Sequence, residues 1–263
     1  MRPAGYLLAF LVLLAPPTAA RAAAPVDVAP VDVALVLVTD VSRSIDDAEF
    51  DLEKQGYETA FADAGVVAAI EGGALGRIAV SYVEFAGSDE VRTVVDWMVV
   101  SDAASAKAFA ARIRNAPRSF WGRTAISAGI DRAMSVLAES EFEATRKVID
   151  VCGDGTNNAG REVGEARDDA LAAGVTINGL AIINDHPVSS SYAHVQPPGG
   201  LAAYYRDNVT GGPGSFVQEV HDFHTFGEAI TRKLISEIAG VEAARFADGA
   251  HAPGPASADG SRQ

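Results

Sequence analysis

Asp40, Ser42 and Ser44 stand at alternate positions in ALVLVTDVSRSIDDAEF, where an apolar run gives out and a helical pattern begins. Far along the chain, Thr124 closes SFWGRT and Asp154 lies in GDGTNN, each at a similar transition. Two carboxylates and three hydroxyls are hard oxygen donors, and these stretches hold no His or Cys at zinc-ligand spacing. Brought together, the five side chains suit Mg²⁺, Mn²⁺ or Ca²⁺ rather than zinc. Two acids formally balance a divalent charge, and hydroxyls add none. Such an ion would keep an appetite for one more anionic oxygen, for example a carboxylate of a partner. Mg²⁺ takes about six ligands, and waters would complete the shell.

Whether the five meet depends on the elements that carry them. Residues 31–40, VDVALVLVTD, are almost continuously apolar and β-branched, the pattern of a strand buried on both faces of a parallel sheet. Helical spacing follows over 47–69, with Phe50, Tyr57 and Phe61 as core candidates. Residues 76–87 form a second strand, and the turn GSDE leads into an antiparallel partner over 91–100. Helices are expected over 101–115 and 124–138, a strand over 146–154, a helix over 161–174 and a strand over 175–183. A Pro/Gly/Ser-rich insertion occupies 184–213, then a short strand over 214–220 and a helix over 223–244. Strands alternating with helices predict a three-layer, doubly wound α/β domain with a mostly parallel sheet.

In such sheets ligands sit beyond the carboxyl ends of the strands, near the point where strand order reverses. Tracing chain direction from element to element brings Asp40–Ser44, Thr124 and Asp154 to that same edge. DVSRS after a buried strand, GRT opening a helix and DVCGDGTNN ending a later strand resemble the metal-ion-dependent adhesion site of von Willebrand factor A (vWA) domains. The resemblance spans roughly residues 31–242 in matching element order. It implies a vWA/Rossmann-like, six-stranded sheet with one antiparallel edge strand. It also implies that Ser42, Ser44 and Thr124 are direct ligands, with Asp40 and Asp154 binding directly or through water. The function it implies is non-enzymatic: a divalent cation engaging an acidic group on a protein partner. Within the family, the chain looks most like secreted bacterial vWA proteins.

Plainer readings compete with this one. Ser44 with Asp47 three residues on resembles a capping box, Thr124 fits an N-cap, and GDGTNN fits a turn. Capping leaves Asp40 and Ser42 without a role, and three unrelated turns would have to coincide at one edge. A Mg²⁺-dependent phosphatase of the haloacid dehalogenase type also uses an aspartate ending strand one. It needs a second acid two residues later, where this chain has Ser42, and a lysine that these loops lack. A serine hydrolase would need a Gly-x-Ser-x-Gly elbow, which is absent. A purely structural vWA domain without metal is the remaining alternative.

The ends of the chain read differently from its middle. Arg2, the apolar run YLLAFLVLLA and the small-residue stretch TAARAAA have the order of a secretory signal peptide, cleaved between Ala20 and Ala24. The run falls well short of the roughly 20 residues that span a bilayer. The expected organisation is a signal peptide over 1–24, a linker over 25–30, the vWA-like domain over 31–245 and a disordered tail over 246–263. Secretion or a periplasmic location follows. A net charge of −14, moving to −16 once Arg2 and Arg21 are removed, is a poor match for nucleic acid or an anionic membrane. Cys152, the single cysteine, falls inside a buried strand as a small core residue. His221 and His224, and His186 and His194 in the insertion, are expected to be solvated. Trp121 is a rim candidate for anchoring a partner, and NVT at Asn208 fits a glycosylation sequon.

Overall fold

The computed structural model describes residues 29–183 and 197–240. Six strands form one sheet: β1 (Ala29–Asp40), β2 (Ile78–Phe85), β3 (Val91–Val100), β4 (Phe142–Gly153), β5 (Thr176–Ile182) and β6 (Val217–Val220). Their order is β3-β2-β1-β4-β5-β6, parallel throughout except for β3, which runs antiparallel at one edge. Strand order therefore reverses between β1 and β4, the crevice in which doubly wound sheets bind ligands. Their pairing runs to Thr39 opposite Cys152, so Asp40 and Asp154 lie just beyond the last rung.

Alternation along the strands divides two apolar layers. Leu35 and Leu37 of β1 face α1 (Asp47–Ala62), α2 (Ala64–Glu71), α3 (Ala103–Asn115) and α7 (Phe226–Ala239), meeting Tyr57, Phe61, Phe109, Phe226 and Leu234. Val36 and Val38 face α4 (Ile126–Ala138), α5 (Val163–Ala172) and α6 (Leu201–Tyr204), meeting Phe85, Ile130, Ile149, Val151 and Tyr205. Each fully buried large apolar side chain contributes roughly 1.5–3 kcal/mol, so the central strands anchor the edge that carries the site.

Several boundaries differ from expectation for identifiable reasons. The segment expected to be linker already pairs at Ala29, opposite Phe142, because β4 starts four residues earlier than expected. The helix expected over 47–69 breaks at Asp63, whose carboxylate accepts from the Gly65 and Val66 N–H groups and opens a new helix. The insertion is not loop throughout. It contains α6 and, directly after it, a π-helical turn, Tyr205–Val209. The final helix begins at Phe226, preceded by a 3₁₀ turn, Phe223–Thr225. The expected signal peptide and tail, with His186 and His194, lie outside the described residues.

A charged cluster joins α7 to the sheet. Lys233, fully buried, pairs with Asp150 of β4 and with Glu237 one turn on. Asn178 of β5 donates to Glu237 Oε1 at 2.9 Å, and Arg146 of β4 caps the end of α7 by donating to the Glu237 carbonyl at 2.8 Å. Burial and then Asp150 push Glu237 up to about 7 from an ordinary 4.5, Lys233 pulling the other way. An acid raised in the folded chain stabilises it below the unfolded value and loses that contribution as pH climbs through the folded value. Glu237→Gln should therefore make the loss of stability between about pH 5 and 7 shallower than in the wild type. Urea denaturation across that range checks it; equal slopes would mean that Glu237 is already ionised at pH 5.

Candidate metal centre

At the end of β1 the chain turns sharply, and the Ser42 N–H donates to Asp40 Oδ1 at 2.8 Å. Asp40 and Ser42 are buried and Ser44 is half-buried. The helix that follows does not use Ser44 as its cap. Asp46 accepts from the Ala48 and Glu49 N–H groups, and Glu49 accepts from the Asp46 N–H, all at 2.8 Å, completing a capping box. The capping box thus lies two residues beyond the Ser44–Asp47 pair of the plainer reading. A longer Glu at the third position reaches back where Asp47 would not, and the Ser44 hydroxyl is left to face inward.

The plainer reading of Thr124 as an N-cap gives way as well. Helix α4 starts at Ile126, and no local side chain caps it. Asn157, from the GDGTNN loop, accepts from the Ser127 N–H at 3.1 Å and takes that duty. Asn158 fixes the Thr124 backbone, its side chain accepting from the Thr124 N–H at 3.0 Å and its own N–H donating to the Thr124 carbonyl at 2.8 Å.

The hydroxyls so released form one line. Thr124 Oγ1 donates to Ser42 Oγ at 3.1 Å, Ser42 Oγ lies 3.1 Å from Ser44 Oγ, and Ser44 Oγ donates to Asp154 Oδ1 at 2.8 Å. The loops after β1, before α4 and after β4 therefore meet through Thr124, Ser42, Ser44 and Asp154, four of the five side chains picked out in the sequence, with Asp40 at the base of the first loop. Oxygens this close, two of them carboxylate and three hydroxyl, fit a hard divalent cation, whose attraction for lone pairs would replace the hydrogen-bond line. Among the described residues no group of three or more His, Cys, Asp or Glu could hold a metal, so a cation here depends on the hydroxyls.

Three supporting residues carry no motif of their own. Arg118, in the loop before Thr124, is only 4% exposed. Its Nη2 donates to the carbonyls of Val41, Ser42 and Ile45 at 2.9, 2.8 and 2.8 Å, clamping the first loop from below. Its guanidinium lies over the Phe50 and Trp121 rings, 5.5 and 5.3 Å from their centroids. Glu84 of β2 accepts from the Ser119 N–H at 2.9 Å and holds the same segment. Glu53 of α1 is fully buried with neither carboxylate oxygen hydrogen-bonded. Burial first, then Asp40 and Asp154, raise its pKa well above the usual carboxylate range. A helical stripe could have revealed Glu53, which stands between Phe50 and Tyr57 at buried-face spacing; nothing in the sequence singles out Arg118.

The remaining candidates fall away from the centre. His221 is exposed near Glu219, and His224 sits in the 3₁₀ turn capped by Asp222. Cys152 is buried, its thiol pushed up by burial and then by Asp150, as suits a packing residue. Asn208 lies in the π-turn, its amide donating to the Tyr204 carbonyl at 3.0 Å. Trp121, 58% exposed, does reach the rim. No helix among the described residues is long and apolar enough to cross a membrane.

Comparison with known proteins bears on the fold. The family model described as "Protein of unknown function (DUF1194)" matches residues 30–242. No curated protein sequence matches the chain. Proximal thread matrix protein 1 from the mussel byssus, with a zinc-occupied MIDAS motif, superposes with a TM-score of 0.59 at 16% identity, over 81% of this chain and 49% of its own. The pilus adhesin SpaC from Lactobacillus rhamnosus GG gives 0.53 at 16% identity, over 81% of this chain and 31% of its own. A von Willebrand factor type A protein from Catenulispora acidiphila gives 0.52 at 14% identity, over 80% and 42%. The chain thus spans less than half the length of each, and identities this low speak for the fold alone. Strand order, the antiparallel edge and these likenesses make the fold that of a vWA domain, and the chain belongs to the DUF1194 family.

Proposed function

We propose that this is a secreted, non-enzymatic adhesion domain that holds a divalent cation with Asp40, Ser42, Ser44, Thr124 and Asp154 and engages an acidic group on a protein partner. The observation that carries it is the unbroken line from Thr124 through Ser42 and Ser44 to Asp154, drawn from three separate loops. When bound, the ion supplies a Lewis-acidic position that a partner carboxylate completes. This chain's residues orient the donors: Asn158 fixes Thr124, Arg118 fixes the first loop, and Asp46 leaves Ser44 free. Hard donors favour Mg²⁺, Mn²⁺ or Ca²⁺. The likenesses lend support, since one neighbour is a matrix protein with zinc at its MIDAS motif and another is a pilus adhesin. An amino-terminal signal peptide would deliver the domain to the exterior or periplasm. The phosphatase reading gains no observation: Ser42, where it needs an acid, sits in the hydroxyl line, and Arg123 is occupied with Asn158.

Ser42→Ala combined with Asp154→Ala should leave the circular dichroism spectrum unchanged and abolish stabilisation by Mg²⁺. In the wild type that stabilisation should reach about 2.7 kcal/mol at 100 times the Kd. An undiminished thermal shift in the double variant would remove these residues from the site. Arg118→Gln tests the clamp beneath the loop. It should weaken Mg²⁺ binding by about tenfold, the usual scale for an outer partner of a metal ligand, and speed amide exchange over residues 42–45. Unaltered calorimetric affinity would make Arg118 a packing residue only.

A further inference from the structure

Tyr205 opens the π-helical turn, which is closed by the Thr210 N–H donating to the Tyr205 carbonyl at 2.9 Å. Such turns occur often at functional sites, and here successive tyrosines reach the loop that follows β4. Tyr204 accepts from the Asn157 N–H at 3.1 Å through its hydroxyl. Tyr205 runs inward and is fully buried in the α4/α5 layer. Its ring lies across Gly179 of β5, where a Cβ would stand 2.7 Å from the ring carbon Cδ1. Its hydroxyl ends over Gly153 of β4, where a Cβ would stand 2.8 Å from that oxygen, 2.9 Å from Asp40 Cβ and 3.1 Å from Asp40 Oδ2. Glycines on neighbouring strands thus clear a lane that brings a phenol to the foot of Asp40.

That hydroxyl has no hydrogen-bond partner among the described residues. An unpaired buried hydroxyl is costly, and phenylalanine would fill the same lane without the cost. A tyrosine hydroxyl carries its proton at neutral pH, so it is available as a donor. Metal-ligating carboxylates are themselves held by hydrogen bonds, and those outer partners govern how the ligand is presented.

We propose that Tyr205 is a positioning residue of the metal centre, its hydroxyl donating to the Asp40 carboxylate when the cation is held and fixing how that carboxylate is presented to the ion. The assignment rests on the cation reading given above. It is tested on the full chain with Tyr205→Phe, titrating MgCl₂ by calorimetry and recording the Tm without metal. The variant should bind Mg²⁺ about tenfold more weakly, while its metal-free Tm stays the same or rises because the unpaired hydroxyl is gone. Equal Mg²⁺ affinity in the two proteins overturns the role of Tyr205 and leaves the cation site standing. A metal-free Tm that falls in step with affinity also overturns it, marking Tyr205 as packing. A wild type that takes up no Mg²⁺, Mn²⁺ or Ca²⁺ overturns both readings together.

Discussion

A helix that starts beside a binding site competes with it for the same side chains. Its first N–H groups need acceptors, and serine and threonine are among the residues best suited to supply them. In this chain Ser44 lies just before α1 and Thr124 just before α4, so each stood to be consumed as a cap. Neither is. Asp46 and Glu49 close the start of α1, and Asn157 reaches across from a loop some 30 residues away to accept from the Ser127 N–H. The site depends on this division of labour, because only uncapped hydroxyls can turn toward one another. It also ties the loops together. The segment that carries Asp154 holds the start of α4 as well, so Thr124 and Asp154 are positioned by a shared set of hydrogen bonds.

Charge at the strand ends is concentrated to a degree that burial alone would not permit. Asp40, Asp154, Glu53 and Glu84 are all buried, and Glu53 is near enough to feel the other three. An isolated buried carboxylate is costly and tends to keep its proton. The protein meets this in two ways. Arg118 supplies a buried positive charge that lowers the cost for Glu53 and Glu84, and burial, with Asp40 and Asp154, raises the pKa of Glu53, neither of whose oxygens has a hydrogen-bond partner. At the mouth of the crevice the oxygens of three hydroxyls meet the Asp154 carboxylate. Carboxylate and hydroxyl oxygens in that combination are donors of the kind that suit a hard divalent cation.

The parts of this arrangement that were legible in the sequence are those with a short-range signature. Strands buried on both faces announce themselves as unbroken β-branched runs, and the direction of each element followed from their alternation with helices. That was enough to bring Asp40, Ser42, Ser44, Thr124 and Asp154 to one edge. The caps were misjudged because two acids follow Ser44 closely, and spacing cannot say which residue begins the helix. Asn157 as a cap for α4 was beyond reach, since a partner distant in sequence leaves no local pattern. Arg118 was illegible for a similar reason: its partners are carbonyls, which every residue has. The π-turn lay within a Pro/Gly/Ser-rich stretch, where composition argued for loop and concealed Tyr204 and Tyr205.

The face of the sheet behind the site is held by more than apolar contact. A buried polar chain crosses it, from Thr39 Oγ1 to the Tyr57 hydroxyl at 2.9 Å, on to Cys152 Sγ at 3.5 Å and from there to Asp150 Oδ1 at 3.4 Å. Asp150 then meets Lys233, Lys233 meets Glu237, and Glu237 meets Asn178. These links join β1, α1, β4, α7 and β5. Apolar side chains tolerate sliding, because one methyl group can replace another, whereas hydrogen bonds and ion pairs do not. Moving α7 along its axis by one turn would carry Lys233 away from Asp150 and leave a buried charge without its partner, a cost of about 3–5 kcal/mol. The axial position of α7 against β4 is therefore discrete rather than graded. The same links fix Thr39 and Cys152, the last pair between β1 and β4, so the height at which the two carboxylates leave the sheet is set from the face opposite the one on which Tyr205 lies.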